Sequence, residues 1–256
     1  MGWPDFIIIG CMKSGTTVLA HNISKHPNIK LIKNPEDPKK ASTEIRMWND
    51  GQPYHVFTNK GIDWYRSLFK YNDKIQFEKC ANYIEQESTM KLMAKYIPDV
   101  KLILCIREPV SRAYSEFQMQ NPGKKFTYEI AESRGYIKRG KYYKQIKNNI
   151  LPYFPRENLH IVVQEQMKDN TQLIMAGIYD FLEIPPIKFG TQEVTSQEAT
   201  NRNLDLDKDS KIKSYKVWQS KYKPMDSKLE KKLKEYFKKH NEKLFKFLEY
   251  SIQEWK

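Results

Sequence analysis

Cysteine is scarce in this sequence, which limits how the chain can be stabilised. The three cysteines of the 256 residues, Cys11, Cys80 and Cys105, are far apart and lack the spacing of metal ligands. Two of them lie in apolar runs typical of strands, where a small thiol is usually buried. We therefore expect no disulfide framework and a reducing compartment.

Long hydrophobic runs are also missing. No apolar stretch reaches the roughly eighteen residues that a membrane-spanning helix needs, and the apolar part of MGWPDFIIIGCMKSG is too short for a signal peptide. Internal repeats and low-complexity tracts are absent. These features predict one domain over residues 1–256, located in the cytoplasm and without a membrane partner.

Acidic residues are outnumbered by basic ones, 31 to 44, which gives a net charge of +13. Such a charge suits polyanionic ligands in general. One hypothesis is therefore a nucleic-acid-binding protein, because aromatic residues are interleaved with lysines near Tyr142, Tyr143, Tyr215 and Trp218.

Apolar runs separated by helical patterns indicate the fold. The runs Phe6–Ile9 and Leu102–Ile106 are apolar throughout, and helical patterns follow them from Thr17 and over Val110–Met119. A third helical pattern starts near Asp226 and extends to Ile252 as amphipathic cover for the sheet. Shorter strand-like runs occur at Ile29–Ile32, Ile75–Phe77 and Leu159–Val163. The sequence predicts an α/β fold with a P-loop-type central parallel β-sheet flanked by helices on both faces.

The segment between the first strand and its helix has the position of a phosphate-binding loop. Backbone N–H groups and the helix dipole favour an anion there. The segment Gly10–Thr17 fits the glycines and the last threonine of the nucleotide-triphosphatase pattern, but Thr16 replaces its lysine and Lys13 stands three residues earlier. A phosphoryl-transfer kinase is thus a second hypothesis, weakened by this mismatch.

The end of the second apolar strand also differs from a triphosphatase. Such a strand usually ends in an aspartate that helps to hold magnesium, whereas this one ends in Arg107. A guanidinium matches phosphate oxygens well. Together with the hydroxyl of Ser115 in the following helix, Arg107 is expected to bind a second phosphate.

These residues resemble the sulfotransferase family that uses 3'-phosphoadenosine 5'-phosphosulfate, particularly the branch of heparan sulfate enzymes and bacterial sulfotransferase domains. Lys13–Thr17 is similar to its 5'-phosphosulfate loop and Arg107–Ser115 to its 3'-phosphate motif. Further matches are Gly61–Tyr65, Glu78-Lys79 with Tyr83, Arg139–Tyr142 and Lys223–Asp226.

The resemblance implies which residues would contact each part of the donor. Lys13 would contact the bridging oxygen and the sulfonate, Ser14, Gly15, Thr16 and Thr17 the 5'-phosphate, and Arg107 and Ser115 the 3'-phosphate. The stretch Ser220, Lys221 and Tyr222 resembles a late basic loop that closes over the 3'-phosphate, although the family's glycine is absent there.

In the family, the catalytic base lies in a segment in which this sequence departs from the family pattern. The family segment Lys-Glu-x-His-Phe-Phe corresponds to residues 43–48, of which only Glu44 is intact, so Glu44 is the candidate base and His55 the reserve. Lys79 would steer the acceptor or polarise the sulfonate. The alternatives are a surface acid for Glu44, a structural role for His55 and an ordinary salt bridge for Lys79.

The implied reaction is an in-line displacement at sulfur that requires no metal. Lys13 and loop N–H groups would stabilise the charge that develops on the leaving oxygen. The co-substrate would be 3'-phosphoadenosine 5'-phosphosulfate and the product adenosine 3',5'-bisphosphate. For the acceptor, a sugar, a small alcohol or amine and a carrier-bound acyl chain remain open, as does the oligomeric state. No nucleic acid partner is expected. The lack of a membrane anchor favours a bacterial role in natural-product biosynthesis over a secretory-pathway glycan enzyme.

Overall fold

The apolar runs of the sequence form a parallel β-sheet. The computed structural model describes residues 1–35, 44–48, 56–70, 73–187 and 224–255. Within them the strands pair in the order β2-β3-β1-β4-β5, and every pairing is parallel. The strands are β1 (Phe6–Gly10), β2 (Ile29–Leu31), β3 (Ile75–Lys79), β4 (Lys101–Ile106) and β5 (Leu159–Val163). All carboxyl ends therefore lie at one edge, where parallel sheets bind ligands.

Helices surround the sheet. They are α1 (Thr16–Ile23), α2 (Val56–Leu68), α3 (Glu87–Tyr96), α4 (Pro109–Gln120), α5 (Tyr128–Ser133), α6 (Tyr136–Arg139), α7 (Tyr142–Gln145), α8 (Gln164–Asp169), α9 (Thr171–Phe181) and α10 (Ser227–Leu248). A π turn (Ile146–Ile150) follows α7, and short 3-10 turns occupy Tyr83–Glu85, Arg156–Asn158 and Gln253–Trp255.

Each face of the sheet has its own hydrophobic core, because side chains alternate along a strand. Phe6 and Ile8 of β1 pack with α1, α8 and α9 on one face, whereas Ile7 and Ile9 pack with α2, α3 and the π turn on the other. Both faces are thus covered, and the predicted fold class is confirmed. The boundaries of a single domain over residues 1–256 stay a prediction.

The predicted start of α4 is confirmed, and its cap is visible. Pro109 occupies the first turn, and the carboxylate of Glu108 accepts hydrogen bonds from the N–H groups of Val110 at 2.9 Å and Ser111 at 2.6 Å. Proline needs no hydrogen bond at that position, and an acidic cap satisfies the free N–H groups behind it. Local sequence therefore begins α4 directly after Arg107.

The closing helix differs from its prediction in length and position. It starts at Ser227 with Asp226 as its cap, as expected, but it ends at Leu248, where Glu249 takes a left-handed conformation. Ile252 is buried outside the helix, so its apolar character reflects core packing rather than helical periodicity. The N-terminal half of the helix packs on α4 through a cluster that includes Leu233 and Phe237, and only its C-terminal half, from Leu244, reaches the core on one face of the sheet.

Two expectations from the sequence concern disulfides and membrane-spanning helices. All three cysteines are free, buried thiols. Among the described residues, no helix combines the length and apolar character that crossing a membrane requires.

Candidate active site

The loop between β1 and α1 presents the start of a helix to an anion. The N-cap residue of α1 is Gly15, which has no side chain to cap the helix, so this position supplies no acceptor for the first N–H groups. Gly15 has a φ of 87°, and a Cβ there would lie 3.1 Å from Cγ of Gln164. Glycine therefore permits both the left-handed turn and the close approach of α8.

Two hydrogen bonds join this loop to β4. The N–H of Cys11 donates to the carbonyl of Cys105 at 2.7 Å, and the Cys105 thiol donates to the carbonyl of Ser14 at 2.7 Å. Ser14 and Thr16 are buried while Thr17 is exposed. Of the predicted phosphate-binding hydroxyls, that of Thr17 is thus the accessible one. The N–H of Ser14 donates to the carbonyl of Cys11 at 3.1 Å, so of the two buried residues Thr16 is the one suited to contribute a backbone N–H group.

Arg107 meets this loop from the end of β4. Its Nη1 donates to the carbonyl of Lys13 at 3.4 Å, and the hydroxyl of Tyr142 donates to the Arg107 carbonyl at 2.6 Å. Ser115, eight residues later along the chain, is half-buried in α4, as is Arg107 at the strand end. Arg107 and the loop around Lys13 therefore lie at the same edge of the sheet.

Lys13 has an unusual electrostatic environment. Its pKa is lowered, first by burial and then by the positive charge of Arg107, while Glu116 acts in the opposite direction. Its Nζ lies 3.6 Å from the sulfur of Met119. The positive charge of Arg107 thus acts on Lys13, and a negatively charged ligand would relieve this repulsion.

A buried ion network supports the loop, and the sequence reasoning missed it. Arg112 and Glu116 are fully buried and paired at 2.7 Å. Arg139 bridges Glu116 at 3.0 Å and Glu85 at 2.9 Å, and Arg112 also donates to the carbonyl of Met12 at 3.4 Å. The i,i+4 spacing of Arg112 and Glu116 was the available signal. It could not reveal that both side chains are buried.

Glu44 and Lys79 are brought together from distant parts of the sequence. Glu44 accepts from Nζ of Lys79 at 3.5 Å, from the N–H of Ala81 at 3.1 Å and from Nε of Arg46 at 3.2 Å. The side chain of Glu44 is 14% exposed and that of Lys79 5%. Lys79 ends β3 and pairs with Ile8 of β1, so this pair lies beside the donor loop. The salt-bridge alternative for Lys79 is realised with Glu44.

A second buried acid, Glu78, was not predicted to matter. Its carboxylate accepts from the hydroxyls of Tyr65 at 2.6 Å and Tyr83 at 3.3 Å, and Trp48 donates to the Tyr65 hydroxyl at 3.3 Å. Burial raises the pKa of Glu78 to about 7. Because Trp48 follows Glu44 by four residues, this network ties the segment that carries Glu44 to β3.

Four predicted site residues have no structural description. His55, Ser220, Lys221 and Tyr222 lie outside the described residues, so their roles stay predictions. The described segments contain no cluster of three or more His, Cys, Asp or Glu side chains that would hold a metal ion.

The fold and site define a P-loop-type α/β protein whose loop and strand-end arginine suit a ligand with several phosphate groups. Residues 3–256 match the sulfotransferase domain family. The chain belongs to this family, which confirms the resemblance seen in the motifs. The matches give no support to a kinase.

Curated relatives are larger than this chain. It is 31% identical over 268 residues to the bifunctional heparan sulfate N-deacetylase/N-sulfotransferase 3 of Homo sapiens, which covers 96% of this chain and 30% of that protein. It is 28% identical over 200 residues to the heparan sulfate glucosamine 3-O-sulfotransferase 5 of Homo sapiens, covering 72% and 54%. The chain thus spans less than a third of the former and about half of the latter.

Solved structures share the fold. A sulfotransferase from Alicyclobacillus acidocaldarius aligns with a TM-score of 0.69 and 19% identity, covering 100% of this chain and 99% of the other. The sulfotransferase domain of the Synechococcus PCC 7002 olefin synthase aligns with a TM-score of 0.53 and 12% identity, covering 93% and 95%.

Proposed function

We propose that this domain transfers a sulfuryl group from 3'-phosphoadenosine 5'-phosphosulfate to a hydroxyl or amine of a sugar or small-molecule acceptor. One observation carries the proposal: the loop that leads into α1 lies beside Arg107, whose guanidinium donates to the Lys13 carbonyl at 3.4 Å. The helix N-terminus with Lys13 and the arginine after β4 thus form two neighbouring positive positions. A donor with anionic groups at both ends of a nucleoside matches two such cationic positions.

The donor would be divided between these positions. The N–H groups of the loop and of α1 suit the 5'-phosphate, with the Thr17 hydroxyl added, and Lys13 suits the bridging oxygen and the sulfonate. Arg107 and Ser115 suit the 3'-phosphate. The Tyr142 hydroxyl, bound to the Arg107 backbone at 2.6 Å, would hold the arginine in place.

The transfer step makes one bond to sulfur and breaks another. A lone pair of the acceptor oxygen or nitrogen attacks sulfur, and the bond to the bridging oxygen breaks, leaving its electron pair on adenosine 3',5'-bisphosphate. Lys13 would stabilise that developing negative charge. Glu44 would accept the proton released by the acceptor. Lys79, 3.5 Å from Glu44, would orient the carboxylate and meet the sulfonate.

The acceptor is the open part of the proposal. The relatives are named for heparan sulfate, which supports a sugar hydroxyl or amine as the acceptor group. The proposal also includes a small-molecule or carrier-bound acceptor. A cytoplasmic location and a biosynthetic role are also proposed. The three buried free cysteines are consistent with that location, since disulfides belong to oxidising compartments.

The donor site is tested by calorimetric titration with adenosine 3',5'-bisphosphate in EDTA. We expect tight binding by the wild type, loss of binding in Arg107→Ala, and no loss in Arg134→Ala, which removes an exposed arginine outside the site. ATP is the control ligand. Binding would justify a screen of acceptors by the mass gain of one sulfonate. Absence of binding, or a magnesium-dependent preference for ATP, would overturn the proposal.

A further inference from the structure

Two lysines lie side by side at the carboxyl ends of β2 and β3. The strands pair in register, with Ile29 opposite Ile75 and Leu31 opposite Phe77. The N–H of Ile32 donates to the carbonyl of Phe77 at 2.7 Å, which carries the pairing past the end of β2. Continuing this register sets Lys33 next to Lys79. Because side chains alternate along strands, both lysines belong to the same row.

Neighbouring like charges on paired strands are unfavourable, and here solvent screens them little. The Lys79 side chain is 5% exposed, and Lys33 is half-buried. Burial and the charge of Lys79 both lower the pKa of Lys33. A lysine with no function at this position would be expected to extend into solvent, away from the second cation.

The nearby acid does not neutralise both lysines. Glu44 contacts Lys79 at 3.5 Å and Arg46 at 3.2 Å. No carboxylate in the described ranges lies within ion-pair distance of Lys33. The described part of this edge therefore has more positive than negative charge.

The strand order sets how far each lysine lies from the donor loop. β3 is adjacent to β1, whose carboxyl end carries the donor loop, so Lys79 borders the donor. β2 is one strand further away, about 4.8 Å. Lys33 thus lies on the side of Lys79 that faces away from the donor loop.

We propose that Lys33, together with Lys79, forms an anion subsite for the acceptor, so that the preferred acceptors carry a carboxylate, sulfate or phosphate group near the hydroxyl or amine that is sulfated. This inference rests on the proposed function, because it requires the acceptor to bind at this edge. Lys33 would also offset the repulsion between an anionic acceptor and Glu44.

Sulfate ion is the probe for the subsite. Inorganic sulfate is titrated calorimetrically, at constant ionic strength, into protein saturated with adenosine 3',5'-bisphosphate, which occupies the phosphate positions. The variant is Lys33→Gln. The matched control is Lys30→Gln, an exposed lysine of the same strand on the opposite row. We expect sulfate affinity to fall roughly threefold to tenfold in Lys33→Gln and to stay unchanged in Lys30→Gln, with nucleotide affinity unaffected in both.

The outcomes separate the inference from the proposed function. If the wild type fails to bind the nucleotide, the proposed function and the subsite are both wrong. If it binds the nucleotide but shows no saturable sulfate binding, or Lys33→Gln binds sulfate like the wild type, the subsite alone is wrong. If Lys33→Gln loses nucleotide affinity, Lys33 belongs to the donor site and the inference is overturned.

Kinetics provide a second measurement once an acceptor is identified. Lys33→Gln should raise KM for an anionic acceptor by a similar factor with little change in kcat. The uncharged methyl ester or amide of the same acceptor should be insensitive to the substitution. An equal effect on both forms would contradict the subsite.

Discussion

At the scale of single residues, Glu44 is oriented by contacts of different kinds. Lys79 and Arg46 approach it as cations, and the N–H of Ala81 fixes one of its oxygens at 3.1 Å. A backbone N–H is a rigid donor, so the carboxylate has a defined direction. A carboxylate with a defined direction is suited to accept a proton from one position.

Replacing Glu44 tests its role as the base. Glu44→Gln keeps the shape but cannot accept the proton, so we expect kcat to fall about 10²- to 10⁴-fold while calorimetric binding of adenosine 3',5'-bisphosphate is retained. Glu132→Gln, which alters an exposed glutamate of α5, is the control and should keep full activity. Near-wild-type turnover by Glu44→Gln would assign proton removal to another group.

At the scale of secondary-structure elements, Gly140 lets four helices meet. It joins α6 to α7, and a Cβ there would lie 2.8 Å from the Phe237 ring of α10 and 2.9 Å from Pro109 of α4. Its φ of −81° is ordinary. The constraint is therefore the close approach of neighbours rather than backbone conformation.

Alanine substitutions at two glycines should have opposite effects. Gly140→Ala overpacks this junction, and we expect the free energy of unfolding to fall by about 1–3 kcal/mol. Gly177→Ala lies within α9, where the nearest atom to a new Cβ is 3.9 Å away. It should raise stability by up to about 1 kcal/mol because alanine favours helix. Urea unfolding measures both, and equal effects would contradict the packing argument.

The end of β3 holds an acid in an apolar environment. Glu78 is faced by the hydroxyls of Tyr65 and Tyr83, with Trp48 behind Tyr65 and the charge of Glu44 nearby. Burial is the main cause of the rise of its pKa from 4.5 to about 7, and Glu44 adds to the rise. Between these two values the folded protein retains a proton that the unfolded chain releases.

Stability should therefore fall as the pH rises through this window. We expect Glu78→Gln, which is neutral at every pH, to lack this decline. Relative to the variant, the wild type should lose free energy of unfolding between about pH 5 and pH 7.5 in urea titrations. Parallel pH profiles for the two proteins would contradict a raised pKa of Glu78.

At the scale of the whole molecule, the net charge of +13 links stability to salt. Self-repulsion weakens the folded state, and an anionic ligand or added salt relieves it. Adenosine 3',5'-bisphosphate at a hundred times its Kd should add about 2.7 kcal/mol to the free energy of unfolding.

Salt should act in opposite directions on the free and bound protein. We expect added sodium chloride to raise the Tm of the free protein and, by weakening nucleotide binding, to reduce the increase in Tm at a fixed nucleotide concentration. Thermal unfolding at several ionic strengths measures both. An increase in Tm that does not change with salt would show that charge contributes little to nucleotide binding.

Local sequence determined the strands, the loop between β1 and α1 and the position of Arg107. Continuous apolar runs are adequate signals for buried strands, and a polar loop between a strand and a helix follows directly from them. Glu108 and Pro109 likewise begin α4 by local chemistry. These features depend on neighbours in the chain, so the sequence by itself was sufficient to predict them.

The tertiary structure decided what depends on residues far apart in the chain. The strand order β2-β3-β1-β4-β5 is not encoded in any one run, yet it alone brings Lys79 beside the donor loop and Lys33 beside Lys79. The Glu78 network and the Glu116–Arg139 ion pair were hidden for the same reason. A charged residue has the same local pattern whether it is solvated or buried, and only packing shows which neighbours neutralise it.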